Sequence, residues 1–193
     1  MRPRTAYTFA CALFVLLVLL LCGLSARGGE LPEPPIYTPN PANTPLQNLV
    51  TWKIQWLRER IKARKSSIAG KENALKSDPD IDKDEAKKEI DALKKENERE
   101  DDEIKGLQAP NAFDPTVPGT NLNVKLVRDN VKAAIARFQA LAITESRISH
   151  DEKKSKKERD EAEAKSKDYS SSGGKLGGDL DEANKGDLKG FPE

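Results

Sequence analysis

Sulfur and imidazole are nearly missing from this chain. Its two cysteines, Cys11 and Cys22, both fall inside an apolar N-terminal run, and His150 is its one histidine. Beyond Leu24 the sequence can therefore form no disulfide, offer no thiolate nucleophile and build no cysteine-ligated zinc site. Aromatic residues make up 5% of the chain against 34% charged residues, a profile between a globular domain and a coiled coil. An excess of one charge is lacking too, with 33 Lys and Arg against 32 Asp and Glu. Nucleic-acid binders carry a basic excess or a basic face, so no nucleic-acid partner is expected. No Asn-x-Ser/Thr acceptor occurs, and no glycine-rich loop follows a strand to cradle a phosphate.

What is present begins with the N-terminal segment. Arg2 and Arg4 precede an apolar core running from about residue 9 to 21, and the small residues Gly23, Ser25 and Ala26 follow. That order is the layout of a secretory signal peptide over residues 1–26. The apolar core is short for a membrane span, although the uncharged stretch from Thr5 to Ala26, roughly 22 residues, reaches the length of a signal anchor. A third fate is lipidation at Cys22, and here the sequence fits poorly, because Leu21 stands where a small residue belongs. All three fates export the remainder, to the periplasm or the cell exterior, and the membrane is touched only through this segment.

Residues 27–43 carry Pro32, Pro34, Pro35, Pro39 and Pro41, which remove backbone donors and favour polyproline II. They read as a stiffened spacer able to reach on the order of 50 Å. A helical region is expected over residues 44–150. Thr44-Pro45-Leu46-Gln47 has the form of a capping box. Val50, Ile54, Leu57, Ile61, Ile68 and Leu75 then repeat at heptad spacing, interrupted by Arg64 and Lys71. Asp78-Pro79 reads as a break and a new cap, after which Ala86, Ile90, Leu93, Ile104 and Leu107 continue the frame around Asn97 and Glu100. A proline-rich loop leads to a third helix capped at Thr120 or Asn121, with Val124, Val127, Val131, Ala134, Phe138, Leu141 and Ile148 on its stripe. Residues 151–168 read as a charged extension of that helix, and residues 169–193, rich in glycine and charge, as a flexible tail. The expected fold is all-α, an antiparallel three-helix coiled-coil-like bundle between a disordered spacer and a disordered tail.

Four features invite a functional reading. Trp52 and Trp56 lie one helical turn apart and, with Leu49, point off the heptad seam. They form either a partner-binding stripe or a patch covered by Ile36 and Tyr37 from the spacer, or by Phe113 and Val117 from the second loop. Arg64, Lys71 and Asn97 either set register or mark a wet, loosely packed half of the hairpin; their clustering favours the latter. Ser149-His150-Asp151 holds the residue types of a hydrolase triad, but neighbours on a helix do not face one another. The basic run at 153–159 is followed at once by Asp160, Glu161 and Glu163, which blunt any attraction to a polyanion. The sequence thus predicts no catalytic residue, no cofactor and no metal. It predicts an exported, non-enzymatic structural or protein-interaction module of the cell envelope, monomeric or oligomeric. The alternatives are an extracytoplasmic holdase-type chaperone or a membrane-tethered spacer.

Overall fold

The first helix starts where its sequence says it should. The Gln47 N–H donates to the Thr44 hydroxyl at 3.2 Å, and the Gln47 side-chain oxygen accepts from the Thr44 N–H at 2.9 Å. This computed structural model describes residues 32–78 and 81–192, so the leader segment over 1–26 and Cys22 lie outside the described residues. Helix α1 spans Pro45–Ser77, α2 Lys83–Gln108, α3 Thr120–Ser149 and α4 Lys156–Lys185. The fold is an all-helical bundle with no strand among the described residues. No helix among them is long and apolar enough to cross a membrane.

Three boundaries differ from the sequence reading, each for a local reason. The carboxylate of Asp82 accepts from the N–H groups of Asp84 and Glu85, both at 3.0 Å, so the cap of α2 falls at Asp82 rather than Asp78. Pro79 lies outside the described residues. Gly119, at φ 91°, precedes α3 in a left-handed conformation that suits glycine alone. It leaves Thr120 as the first helical residue, and the Thr120 hydroxyl donates back to the carbonyls of Asp114 and Val117 instead of capping.

The third difference is the largest. Of residues 169–193, predicted as a flexible tail, the described 169–192 are helical through Lys185 and packed beyond it at Leu188 and Phe191. The charged stretch before them is not a continuation of α3. His150 ends that helix, and Ser155 opens α4 with a full capping box to Glu158. Ala162, Tyr169, Leu176 and Ala183 recur one heptad apart on the buried face of α4, joined by Ser172, Gly173 and Leu180. The C-terminal turn is fixed by the buried Arg128 of α3. Its guanidinium donates to Asn184 Oδ1 at 2.8 Å and to the carbonyls of Leu188 and Pro192.

The chain divides into two compact units. One is a helical hairpin, Arg60–Arg99, made from the second part of α1 and the first part of α2. Its helices are antiparallel, paired by Lys71–Glu89 at 2.5 Å, Lys94–Glu72 at 3.0 Å and Arg64–Glu96 at 3.0 Å. Its apolar seam is narrow: Ile68, Ile90 and Leu93, with Leu75 packed against them.

The other unit takes Glu33–Glu59 and Glu100–Glu193. Here α3 and α4 run antiparallel, with the Ser166 hydroxyl donating to the Ala142 carbonyl at 2.9 Å near one end and Arg128 meeting Asn184 near the other. The helices are close at Gly173 and Phe138, where a Cβ on Gly173 would sit 3.5 Å from the Phe138 Cβ, in ordinary van der Waals contact. Leu49, Val127, Val131, Phe138 and Leu176 form its fully buried centre.

Candidate functional site

Leu49, Trp52 and Trp56 stand inside this second unit, at 0%, 4% and 9% exposure. The proline-rich segment covers Trp52, through Tyr37 and not Ile36. Tyr37 is 2% exposed and its ring meets Trp52 edge-on at 6.1 Å, whereas Ile36 is 49% exposed. Phe113 and Val117, the other candidates for this cover, are half-buried. The rings continue inward: Trp52 to Trp56 at 5.3 Å, Trp52 to Phe138 at 6.5 Å, and Phe138 to Tyr169 at 6.0 Å. Such offset and edge contacts add about 0.5–1.5 kcal/mol per pair beyond burial.

Residues 33–43 are therefore no free spacer but a strap that bridges α1 and α4. The Trp52 indole N–H donates to the Pro35 carbonyl at 2.8 Å. The Tyr37 N–H donates to the Ser172 hydroxyl at 3.1 Å, and the Tyr37 hydroxyl to the Asp179 carboxylate. At the strap's other end the Tyr169 hydroxyl donates to Glu33 at 2.6 Å. The turn into α1 is held by Asn40 and Asn48, which exchange two hydrogen bonds, from the Asn40 N–H at 3.0 Å and from the Asn48 amide at 3.2 Å. Burial, reinforced by the Asp179 carboxylate, raises the Tyr37 phenol. Burial and the Glu33 carboxylate push Tyr169 up to about 12.

A second polar group escaped the sequence reading. Lys53, between Trp52 and Ile54, is 1% exposed; its ammonium pairs with Glu103 and donates to the Leu126 carbonyl at 2.9 Å. It ties α1 to α2 and α3 within this unit. The sequence held one trace of it, since Glu100, also buried, occupies an apolar stripe position one turn before Glu103. In the hairpin, Arg64 Nη1 donates to Asn97 Oδ1 at 3.3 Å, and both residues are buried. Of the polar residues on that seam, Arg64 and Asn97 thus meet each other, while Lys71 pairs with Glu89.

Ser149 and His150 do touch, with Oγ 3.0 Å from Nδ1, because α3 ends there and neighbouring side chains are released from helical spacing. Nδ1 also lies 2.7 Å from the Ser146 carbonyl, and the Asp151 carboxylate accepts from the Lys153 N–H at 3.0 Å. These contacts close a helix end; Asp151 is turned to the following backbone and not to the imidazole. Among the described residues no group of His, Cys, Asp and Glu is arranged to hold a metal ion. Compared with known proteins, the chain matches no family model, no curated sequence and no solved structure.

Proposed function

We propose that this is an exported, non-enzymatic helical-bundle protein that works as a structural or protein-interaction module of the cell envelope. The observation that carries the reading is the Arg60–Arg99 hairpin. It spends a long stretch of two helices on a seam of a few aliphatic residues and leaves its outer faces to solvent. Such an element suits presentation to a partner. Export rests on the leader layout of residues 1–26. The test is fractionation of native cells, with photo-crosslinking amino acids placed at exposed hairpin positions such as Lys62 and Lys88 and at control positions on α3. Discrete crosslinked partners from hairpin positions in the envelope fraction support the reading. A full-length chain confined to the cytosol, or the same crosslinks from every position, ends it.

The strap favours one form of the tethered-spacer alternative. With residues 33–43 docked, a retained leader would leave residues 27–32 as linker, at most about 20 Å when fully extended. The bundle unit would then stand close to the membrane and not at the end of a long stalk. The N-terminal mass of the mature chain separates a cleaved leader from a retained one. The chaperone reading has less behind it, since among the described residues the large apolar side chains left exposed are the scattered Ile36, Leu122 and Ile143.

A further inference from the structure

We propose that the face formed by Trp52 of α1 and by Tyr169, Ser172 and Asp179 of α4 is a recognition site for proline-rich segments, occupied in cis by the chain's own residues 33–38. The strap has the character of a ligand. It joins no helix and no strand, and the hydrogen bonds that fasten residues 33–38 to the bundle all involve side chains of α1 and α4. Pro34, Pro35, Pro39 and Pro41 fix their own φ and push the residues before them toward extended backbone. The segment thus arrives already ordered and loses little freedom on docking.

The face reads main chain and side chain separately. An indole N–H on the Pro35 carbonyl and a serine hydroxyl under the Tyr37 N–H grip the backbone on both sides of Ile36, whose side chain points outward. An aromatic surface with an indole donor aimed at a proline carbonyl is a general way of holding such segments. Selectivity comes from the ends, where Tyr169 donates to the Glu33 carboxylate and Asp179 accepts from the Tyr37 hydroxyl. The ligand class is accordingly Glu-Pro-Pro-x-Tyr, and a partner displaying that pattern competes with the strap. This gives the interaction reading a partner chemistry, yet it stands on the strap contacts alone. It is tested on purified protein, whereas the export reading is tested in cells.

The experiment nicks the full chain at a protease site inserted between Pro41 and Ala42, then offers a labelled peptide of residues 33–41, EPPIYTPNP. The expected result is saturable uptake with a change in tryptophan emission. A peptide with Pro34→Ala and Pro35→Ala binds at least about tenfold more weakly, and Trp52→Phe in the nicked chain weakens uptake by about tenfold, the loss of one buried hydrogen bond. No uptake at millimolar peptide, equal uptake of a scrambled peptide, or loss of helical circular dichroism on nicking overturns the proposal, because the strap is then a fixed part of the core. The intact chain gives a second measurement. The Tyr37 amide should exchange with solvent at least about tenfold faster than those of Leu49 and Val131, through opening of the strap alone. Equal rates for all three overturn the proposal as well.

Discussion

The hairpin and the strapped bundle unit bury their apolar side chains by different means. Between Arg60 and Arg99 there is no aromatic residue, and each helix has a single partner to pack on, so only one stripe is covered. Polar residues that fall on that stripe are satisfied by each other, as Arg64 and Asn97 are. The bundle unit instead layers rings from the strap, α1, α3 and α4 and closes its far end with Arg128 and the C-terminal turn. A two-helix element of this size buries too little to be robust by itself. The difference shows where stability is concentrated: in aromatic contacts between segments far apart in sequence, and not in the regular heptads that dominate the reading of the chain.

The largest test of that contrast is Phe138→Ala. Phe138 is fully buried between Trp52, Tyr169 and Gly173, and its truncation is expected to cost about 3–5 kcal/mol by denaturant titration. Amide exchange at Ile90 and Leu93 should be unchanged. If those amides lose protection to the same degree, the two units unfold together and the contrast breaks.

A smaller effect lies in the hairpin. Arg64→Ala leaves Asn97 buried without this donor and Glu96 without its ion pair, for a local loss of about 2 kcal/mol seen as faster exchange at Leu93. Replacing both, Arg64→Met with Asn97→Leu, should restore or exceed the original protection, because an apolar pair carries no desolvation cost. No change in the single variant would mean that the seam is wet and the pair contributes nothing.

Glycines in α4 give the next step down. A Cβ at Gly174 or Gly178 would meet nothing within 4 Å, so Gly174→Ala and Gly178→Ala should each stabilise the bundle unit by up to about 1 kcal/mol. Gly173→Ala, whose Cβ would lie in ordinary van der Waals contact with Phe138, should gain at least as much. A loss at Gly174 or Gly178 in thermal melts would show that this face of α4 is already covered by something.

Much of the helical framework was legible in the chain. The Thr44 box, the heptad stripes of α1 to α3 and the short break between the first two helices are local signals, and local physics decides them. Helix α4 was hidden for a physical reason: Ala162, Ser172, Gly173 and Ala183 are small, and two Gly-Gly pairs depress intrinsic helix propensity. The Ser155-x-x-Glu158 box was nevertheless readable. The strap was illegible because proline spacing tells that a segment is extended, not what it lies against. Trp52 and Trp56 posed the question of cover, but the answer depended on Tyr169, Ser172 and Asp179, more than a hundred residues away.

The smallest expected effect appears only in alkali, and it isolates the strap because the hairpin contains no tyrosine. Tyr169 is pushed up to about 12 by burial and by Glu33, and Tyr37 is raised by burial and by Asp179. A phenol in the unfolded chain ionises near about 10. The folded state therefore holds these protons more tightly than the unfolded one. The stability they contribute is complete below about pH 10 and is lost as pH rises toward and through 12. Ionising Tyr169 removes the donor to Glu33 and sets two anions against each other, so the strap should loosen first. The expected record is late tyrosinate absorbance from Tyr37 and Tyr169, with Trp52 emission becoming quencher-accessible over the same range and little change in helical circular dichroism. Tyr169→Phe should delete one late-titrating group and leave the Tyr37 step in place. If Tyr37 and Tyr169 titrate at about 10, the phenol–carboxylate bonds do not hold in solution and the strap is no tighter than the solvated faces of the hairpin.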